Sequence, residues 1–453
     1  MGAGPFPCPA EPGRIAPLCL DGLVTTAVPL GYPIHAETLA NGLRVIVNPD
    51  HAVPFVAVNL WYDVGSRDEE PGRTGLAHLF EHVMFQGSEH VASGEHFDTL
   101  QASGATGNAT TWFDRTNYFE AVPTGVLDLA LWLEADRMAN LLPALTQENF
   151  DTQREVVKEE KRQRYDNAPY GDTIDHLLAL AFPSGHPYGH TVIGSMDDLD
   201  AASLADAHRF FATWYSPGNA VLTLVGDVTP EDGVAKARKY FGKLRGRPVP
   251  ERVDVAALPP HEGLPRRVTS APVPADMVYV QWRTPARGSR EADAVDIALT
   301  VLGGSETSRL YHRLVRTDAT CSGAGSSSIP LLRGNSLAMA YARALEGQDL
   351  AAIEAALCEE VARFCEEGPT EPELQRVRVQ FEREWLGECS RLESRADLLS
   401  GHATMFDDPA RVNMRIVDYT SIGADEVREA AQQWLDPDAR AVLEYRRGPL
   451  GGE

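Results

Sequence analysis

From Glu37 onward the chain alternates between two hydrophobic periods. Leu43-Arg44-Val45-Ile46-Val47 and Phe55-Val56-Ala57-Val58-Asn59-Leu60-Trp61-Tyr62 are short runs rich in β-branched residues, and both predict strands. Asn41-Gly42, just before the first, is a turn signal. The period then lengthens, and helices are expected over about 75–86, 95–103, 125–140 and 147–166. A Gly-rich turn after the second helix leads into a strand near Thr116–Val122. Val221-Leu222-Thr223-Leu224-Val225 reads as a buried strand.

This pattern is interrupted once and then resumes. Residues 246–265 hold Pro248, Pro250, Pro259, Pro260 and Pro265, a density that excludes a regular helix or a central strand. The stretch reads as a linker between halves of similar size, and the halves resemble each other. Trp214-Tyr215-Ser216-Pro217 precedes the strand at 221–225, and Trp434-Leu435-Asp436-Pro437 precedes Ala441-Val442-Leu443 at the same offset. Met277-Val278-Tyr279-Val280-Gln281-Trp282 matches the strand at 55–62, and a helix follows each. Several matches in one order point to an internal repeat. The expected fold is α+β: two homologous α/β-sandwich domains, each a mostly antiparallel sheet with helices packed on it. The expected division is 1–30 as an irregular extension, 31–245 as the first domain, 246–265 as the linker and 266–453 as the second domain.

Composition narrows the function. At 453 residues the chain is too long for one core. Its net charge of −24 argues against nucleic acid and anionic membranes as partners, and leans toward cationic peptides. No run is long enough to span a membrane. Met1 to Leu30 show no basic start followed by an apolar stretch, so a cytoplasmic location is expected. The six cysteines form no C-x-x-C pair, and Cys358 and Cys365 share a helical face suited to core packing.

The chemistry concentrates in His78-Leu79-Phe80-Glu81-His82. Two histidines four apart on a helix project from one face and suit one zinc ion. Thr74 is the expected N-cap and Gly87 the residue just past the end. Three ionisable groups among Leu76, Leu79, Phe80, Val83, Met84 and Phe85 would be costly without a partner such as a metal. A third ligand is available on the helix at 147–166. There Phe150, Gln153, Val157, Glu160 and Arg164 form one face with apolar anchors, which turns Glu160 inward; Glu159 is the alternative.

The inverted motif 78–82, with a glutamate-bearing helix further on, resembles the pitrilysin and mitochondrial-processing-peptidase family of inverzincins. So do Ala40-Asn41-Gly42-Leu43, Gly107-Asn108-Ala109-Thr110, Asp114-Arg115-Thr116-Asn117-Tyr118, His186-Pro187-Tyr188-Gly189 and Trp214-Tyr215-Ser216-Pro217. The resemblance implies one zinc per chain on His78, His82 and Glu160, with Glu81 as general base. It implies a substrate edge at Asn108 and Ala109, and a half-clam-shell subunit that dimerises. Two departures stand out. The family usually places a glutamate two helical turns before the third ligand, where this chain has Gln153. It also carries an arginine followed by a tyrosine in the second half to grip substrate. Arg316 matches the first, but Gly323 stands at the second. The reading is a zinc endopeptidase for short or unfolded polypeptides, the zinc-bearing half of a heterodimer whose other chain supplies the missing grip. A homodimer, a dedicated leader-peptide maturation protease and a non-catalytic scaffold are the alternatives.

Overall fold

The structure, a computed structural model, describes residues 27–448 apart from 250 and 253. The expected extension therefore lies outside the described residues except for Ala27–Leu30, as do Cys8 and Cys19. The first half builds a six-stranded sheet from β1 (His35–Thr38), β2 (Arg44–Pro49), β3 (Phe55–Tyr62), β4 (Thr106–Thr111), β5 (Thr116–Pro123) and β6 (Ala220–Gly226), in the order β1-β2-β6-β3-β5-β4. The second half builds five strands, β7 (Arg266–Ala271), β8 (Met277–Pro285), β9 (Cys321–Ile329), β10 (Asn335–Ala344) and β11 (Ala441–Arg447), in the order β7-β11-β8-β10-β9.

The sheets repeat one plan. In the first, β2 and β6 run parallel while β6–β3, β3–β5 and β5–β4 are antiparallel. In the second, β7 and β11 run parallel while β11–β8, β8–β10 and β10–β9 are antiparallel. Thus β6 and β11, reached from the two Trp-x-x-Pro segments, are counterparts, as are β3 and β8. The free edges β4 and β9 are counterparts too. β4 lies where the hydrophobic period predicts only a Gly-rich turn, because TGNATT offers no apolar face for a period to reveal; an edge at Asn108 and Ala109 is expected from the family resemblance alone.

Each sheet covers one face with its own helices and the other with helices from the opposite half. Leu79, Phe80, Leu131, Phe150 and Phe211 pack with strands β2 to β6 in one core. On the far face Ile46, Ala57, Trp61, Val221 and Val225 meet Trp385, Cys389, Ala396, Leu399 and Ile416 from the second half. In return, Leu177, Leu178 and Ala181 of the first half pack on Met277, Leu337, Met339 and Leu443 of the second sheet. Cys365 is buried in the second half's own core, with Cys358 half-buried against it. The described residues of the Pro-rich stretch form no helix or strand. They are nonetheless anchored: Arg252 pairs with Asp63 and Asp68, and the Leu258 N–H donates to Asn335 Oδ1 at 2.6 Å.

Candidate metal centre

The helix Leu76–Val83 is fixed by its apolar side. Leu76, Ala77, Leu79, Phe80 and Val83 are buried, and the Phe80 ring packs on Phe210, Phe211 and Tyr215. This leaves His78, Glu81 and His82 on the remaining face. The start of the helix differs from expectation. Gly75, not Thr74, is the N-cap, at φ +86°, where a Cβ would come within 2.5 Å of the Ile193 carbonyl oxygen. Thr74 instead donates its N–H and hydroxyl to Asp198 Oδ2. The first helical N–H groups go to Glu69, whose two oxygens accept from Gly75 at 2.9 Å and Ala77 at 2.7 Å. Burial pushes the Glu69 carboxyl well above its usual range, and these backbone bonds pull the other way. The helix closes at Met84, so Gly87 belongs to the turn beyond it.

The helix Gln147–Lys161 crosses nearby, anchored by the buried Phe150 and Val157. Glu160 faces the histidines: its Oε2 lies 3.5 Å from His82 Nε2 and 3.9 Å from His78 Nε2. Glu159 is exposed and bonded to Arg162 and Gln163. The regular helix ends one residue after Glu160 and widens into a π-helical turn over Arg162–Asp166, where a continuous helix is expected to 166. One ligand atom from each of His78, His82 and Glu160 lies within 4.8 Å of the others. Two imidazoles and one carboxylate at this spacing fit a tetrahedral zinc with an open position. The side chains keep 14%, 24% and 18% exposure, so the cluster is open to a substrate. Burial, reinforced by His82, pushes His78 down to about 4, and the bond from His82 holds Glu160 below its usual range. Both shifts favour the protonation states that bind metal.

Glu81 sits beside the cluster. Burial raises its carboxyl, and Thr111 Oγ1 donates to its Oε2 at 2.5 Å. Thr111 ends β4, whose outer edge is free among the described residues. The Trp112 N–H donates to Arg115 across the β4–β5 turn, so alternate residues Gly107, Ala109 and Thr111 turn their N–H and C=O groups outward. Asn108 is exposed, and its Oδ1 accepts the Ala109 N–H at 2.9 Å.

The remaining sites separate. Among the described residues Gln153 makes no side-chain hydrogen bond, and His78 Nδ1 is buried without a partner. Arg316 lies in a π-helical turn at His312–Thr317, over the Tyr311 ring and 3.7 Å from Glu306. Gly323 lies near the start of β9, and a Cβ there would meet nothing within 4 Å. A cavity of about 330 Å³ opens at that point, walled by Tyr311, Tyr341 and Arg343. Sequence reasoning misses Glu69 and the bond from Thr111 to Glu81. The one signal for Glu69 is the acidic run Asp68-Glu69-Glu70 ahead of a helix. A second His–carboxylate group, His96 with Glu120 and Glu134, is deeply buried, and Arg137 forks onto Glu134 there. It is an internal ion-pair cluster.

The chain thus has two sheets of one plan and, beside the first, a His-His-Glu cluster that fits a zinc ion. The chain belongs to peptidase family M16. The family model described as Insulinase (Peptidase family M16) matches residues 44–194, and that described as Peptidase M16 inactive domain matches 201–381. His78, His82 and Glu160 lie within the first. The chain is 30% identical over 389 residues to a zinc protease PqqE of Helicobacter pylori, spanning 82% of this chain and 85% of that one. It is 27% identical to a probable mitochondrial-processing peptidase subunit beta of Arabidopsis thaliana, over 58% of this chain and 49% of that one. A crystal structure of a protease from Helicobacter pylori superposes with a TM-score of 0.85 at 25% identity, covering 93% of this chain and 100% of that chain. Among the described residues no helix is long and apolar enough to cross a membrane.

Proposed function

We propose that the chain is a zinc-dependent endopeptidase that hydrolyses extended or unfolded peptides, holding one zinc on His78, His82 and Glu160. The observation that carries this is the convergence of those three side chains beside Glu81 and the free edge of β4. When bound, zinc supplies Lewis acidity toward water and a peptide carbonyl. The chain's own residues do the rest. The outward groups of Gly107, Ala109 and Thr111 pair with substrate backbone as an added strand and orient the scissile bond. Thr111 holds Glu81 Oε2, leaving Oε1 to take a proton from the attacking water and deliver it to the leaving amine. Burial raises the Glu81 carboxyl, which makes it a stronger proton acceptor than a free carboxylate. Asn108 supports the edge from outside, while Gln153 supplies no hydrogen bond to the histidines and leaves the metal site with a weaker outer scaffold.

The open space at Gly323 and the exposed Arg316 support a division of labour, in which a second family chain completes the substrate grip in a heterodimer. The relative named as a subunit beta of a processing peptidase is consistent with paired chains. The free thiols of Cys321, Cys358, Cys365 and Cys389 favour a reducing, cytoplasmic setting. Metal analysis of the purified chain should find one zinc, and Glu160→Gln should lose it. Glu81→Gln should keep the zinc and lower peptide hydrolysis by roughly 10²–10⁴-fold. A chain without stoichiometric zinc, or an active Glu81→Gln variant, would remove the reading. Full activity of the chain alone would remove the heterodimer.

A further inference from the structure

We propose that the cleft on the far face of β4, opposite the metal helix, is a carboxylate-recognising subsite that takes an acidic side chain or the C-terminal carboxylate of the bound peptide. This rests on the peptidase reading above and deepens it.

Three guanidinium groups face this cleft. Arg115 donates only to neutral acceptors, the carbonyl and hydroxyl of Thr110 and Asn117 Oδ1. Arg411 donates to the Gly288 carbonyl and lies over the Phe406 ring. Arg287 is exposed to the cleft and, among the described residues, makes no side-chain hydrogen bond. Among the described residues none of the three forms an ion pair, although neighbouring Arg415 is paired bidentately with Asp293. In a chain of net charge −24, unpaired arginines gathered from three distant segments are the opposite of the general trend. The nearby acids do not cancel them all. Asp114 is engaged by Arg67 and the Tyr188 hydroxyl. Asp397 accepts from Trp61 Nε1 at 2.8 Å and Asn117 Nδ2 at 2.9 Å, and Asp418 lies at the outer end. His402 adds no charge near neutral pH, since burial pushes it down to about 4.

The cleft is placed to read a peptide on β4. Side chains of an added strand alternate between the two faces of the sheet. One set points to the metal helix and the other to the face that carries Trp61, Asn117 and Thr110 in one cross-strand row. The next position in that row, on the substrate, falls beside Arg115 and Trp112. The cleft there measures about 210 Å³, walled by Trp61, Trp112 and Phe406. Arg287, Leu398, His402 and Phe406 join it to a second lobe of about 360 Å³ that contains Arg411. Aromatic walls thin the water around an incoming carboxylate and strengthen its pairing with guanidinium.

The test compares peptides that differ only in Glu, Gln or Lys at successive positions, each with a free or an amidated C-terminus. The wild-type chain, with its partner if one is needed, should cleave the best Glu peptide about tenfold more efficiently than its Lys counterpart. Arg287→Glu should reverse that preference, and Arg287→Gln should flatten it; neither removes a hydrogen bond that the fold uses. A preference carried by the free terminus and lost on amidation assigns the subsite to the C-terminal carboxylate; one that survives amidation assigns it to a side chain. Equal cleavage of Glu and Lys peptides by the wild type, or an unchanged preference in Arg287→Glu, would overturn the proposal. Binding of the same peptides to the Glu81→Gln chain, followed by fluorescence anisotropy, gives the comparison without turnover. If nothing is cleaved but Glu peptides bind tightest, the subsite stands and the peptidase reading falls. If nothing is cleaved and binding shows no Glu preference, both fall.

Discussion

At the scale of single residues, the helix that carries His78 and His82 is held by a carboxylate outside the His-His-Glu cluster. Glu69 is buried and accepts two N–H groups from the first turn of the helix that carries His78 and His82. Those N–H groups have no partner within the helix. Removing the acceptor leaves buried donors unsatisfied, which costs about 1–3 kcal/mol. Glu69→Ala should therefore lower the unfolding free energy by that amount, seen as a lower thermal or denaturant midpoint. It should also weaken zinc binding, because the start of the helix sets the direction of His78. Glu69→Gln keeps one acceptor oxygen and should fall between. An unchanged midpoint and zinc affinity in Glu69→Ala would show that Thr74, Asp198 and the 193–194 turn suffice. The sequence makes the histidines visible because they interrupt an apolar helix. Glu69 stays hidden because a cap in an irregular segment has no periodicity, only a composition shared by many solvated loops. Glu160 lies between these cases. Its helical face follows from Phe150 and Val157, but its distance from the histidines comes from how two helices cross, and no local pattern encodes that.

At the scale of elements, the two free edges are the parts that the hydrophobic period makes least legible. TGNATT in β4 and CSGAGSSSI in β9 lack the alternation that marks β2, β3, β6 and β8. An edge strand is paired on one side only, and small polar residues are tolerated there. That same openness is what a β-adding substrate needs. In β4 the Ala109 N–H turns away from β5 and meets only the exposed Asn108 side-chain oxygen, which a bound strand displaces, so proline at this position removes a donor to the substrate and none from the ladder. Ala109→Pro should leave the melting transition near that of the wild type and lower kcat/KM about tenfold, the worth of one backbone hydrogen bond to a bound strand. Proline at Asn108, whose backbone does face β5, should destabilise the fold as well. If both variants melted alike and cleaved alike, the peptide would not be pairing with this edge.

At the scale of the whole molecule, the internal repeat was readable from Trp-x-x-Pro segments and matched strands, but the way the repeats interlock was not. An apolar residue on a strand announces that it is covered, not by which half. Ile46, Trp61 and Val221 are covered by helices Glu371–Ser390, Leu392–Phe406 and Arg411–Thr420 of the second half. Leu443 and Tyr445 are covered by helix Thr173–Ala181 of the first. Polar ties reinforce the exchange: Arg395 pairs with Asp50, Gln281 Nε2 donates to the Leu177 carbonyl at 2.9 Å, and the Tyr445 hydroxyl donates to Asp172. We therefore propose 31–245 and 266–453 as repeat boundaries within one cooperative unit. A protease site inserted in the Pro-rich stretch and cut after folding should leave the two pieces co-eluting on gel filtration and melting in one transition. Residues 27–245 expressed alone would expose one face of a six-stranded sheet, including Trp61 and Val225, and should aggregate or recover only when the second half is supplied. Separate elution of the cut pieces, each with its own transition, would show instead that each sheet covers itself. In that case Arg115 and Arg287, which face one cleft from opposite halves, would part on nicking. The preference for acidic peptides should then be lost while zinc on the first half remained.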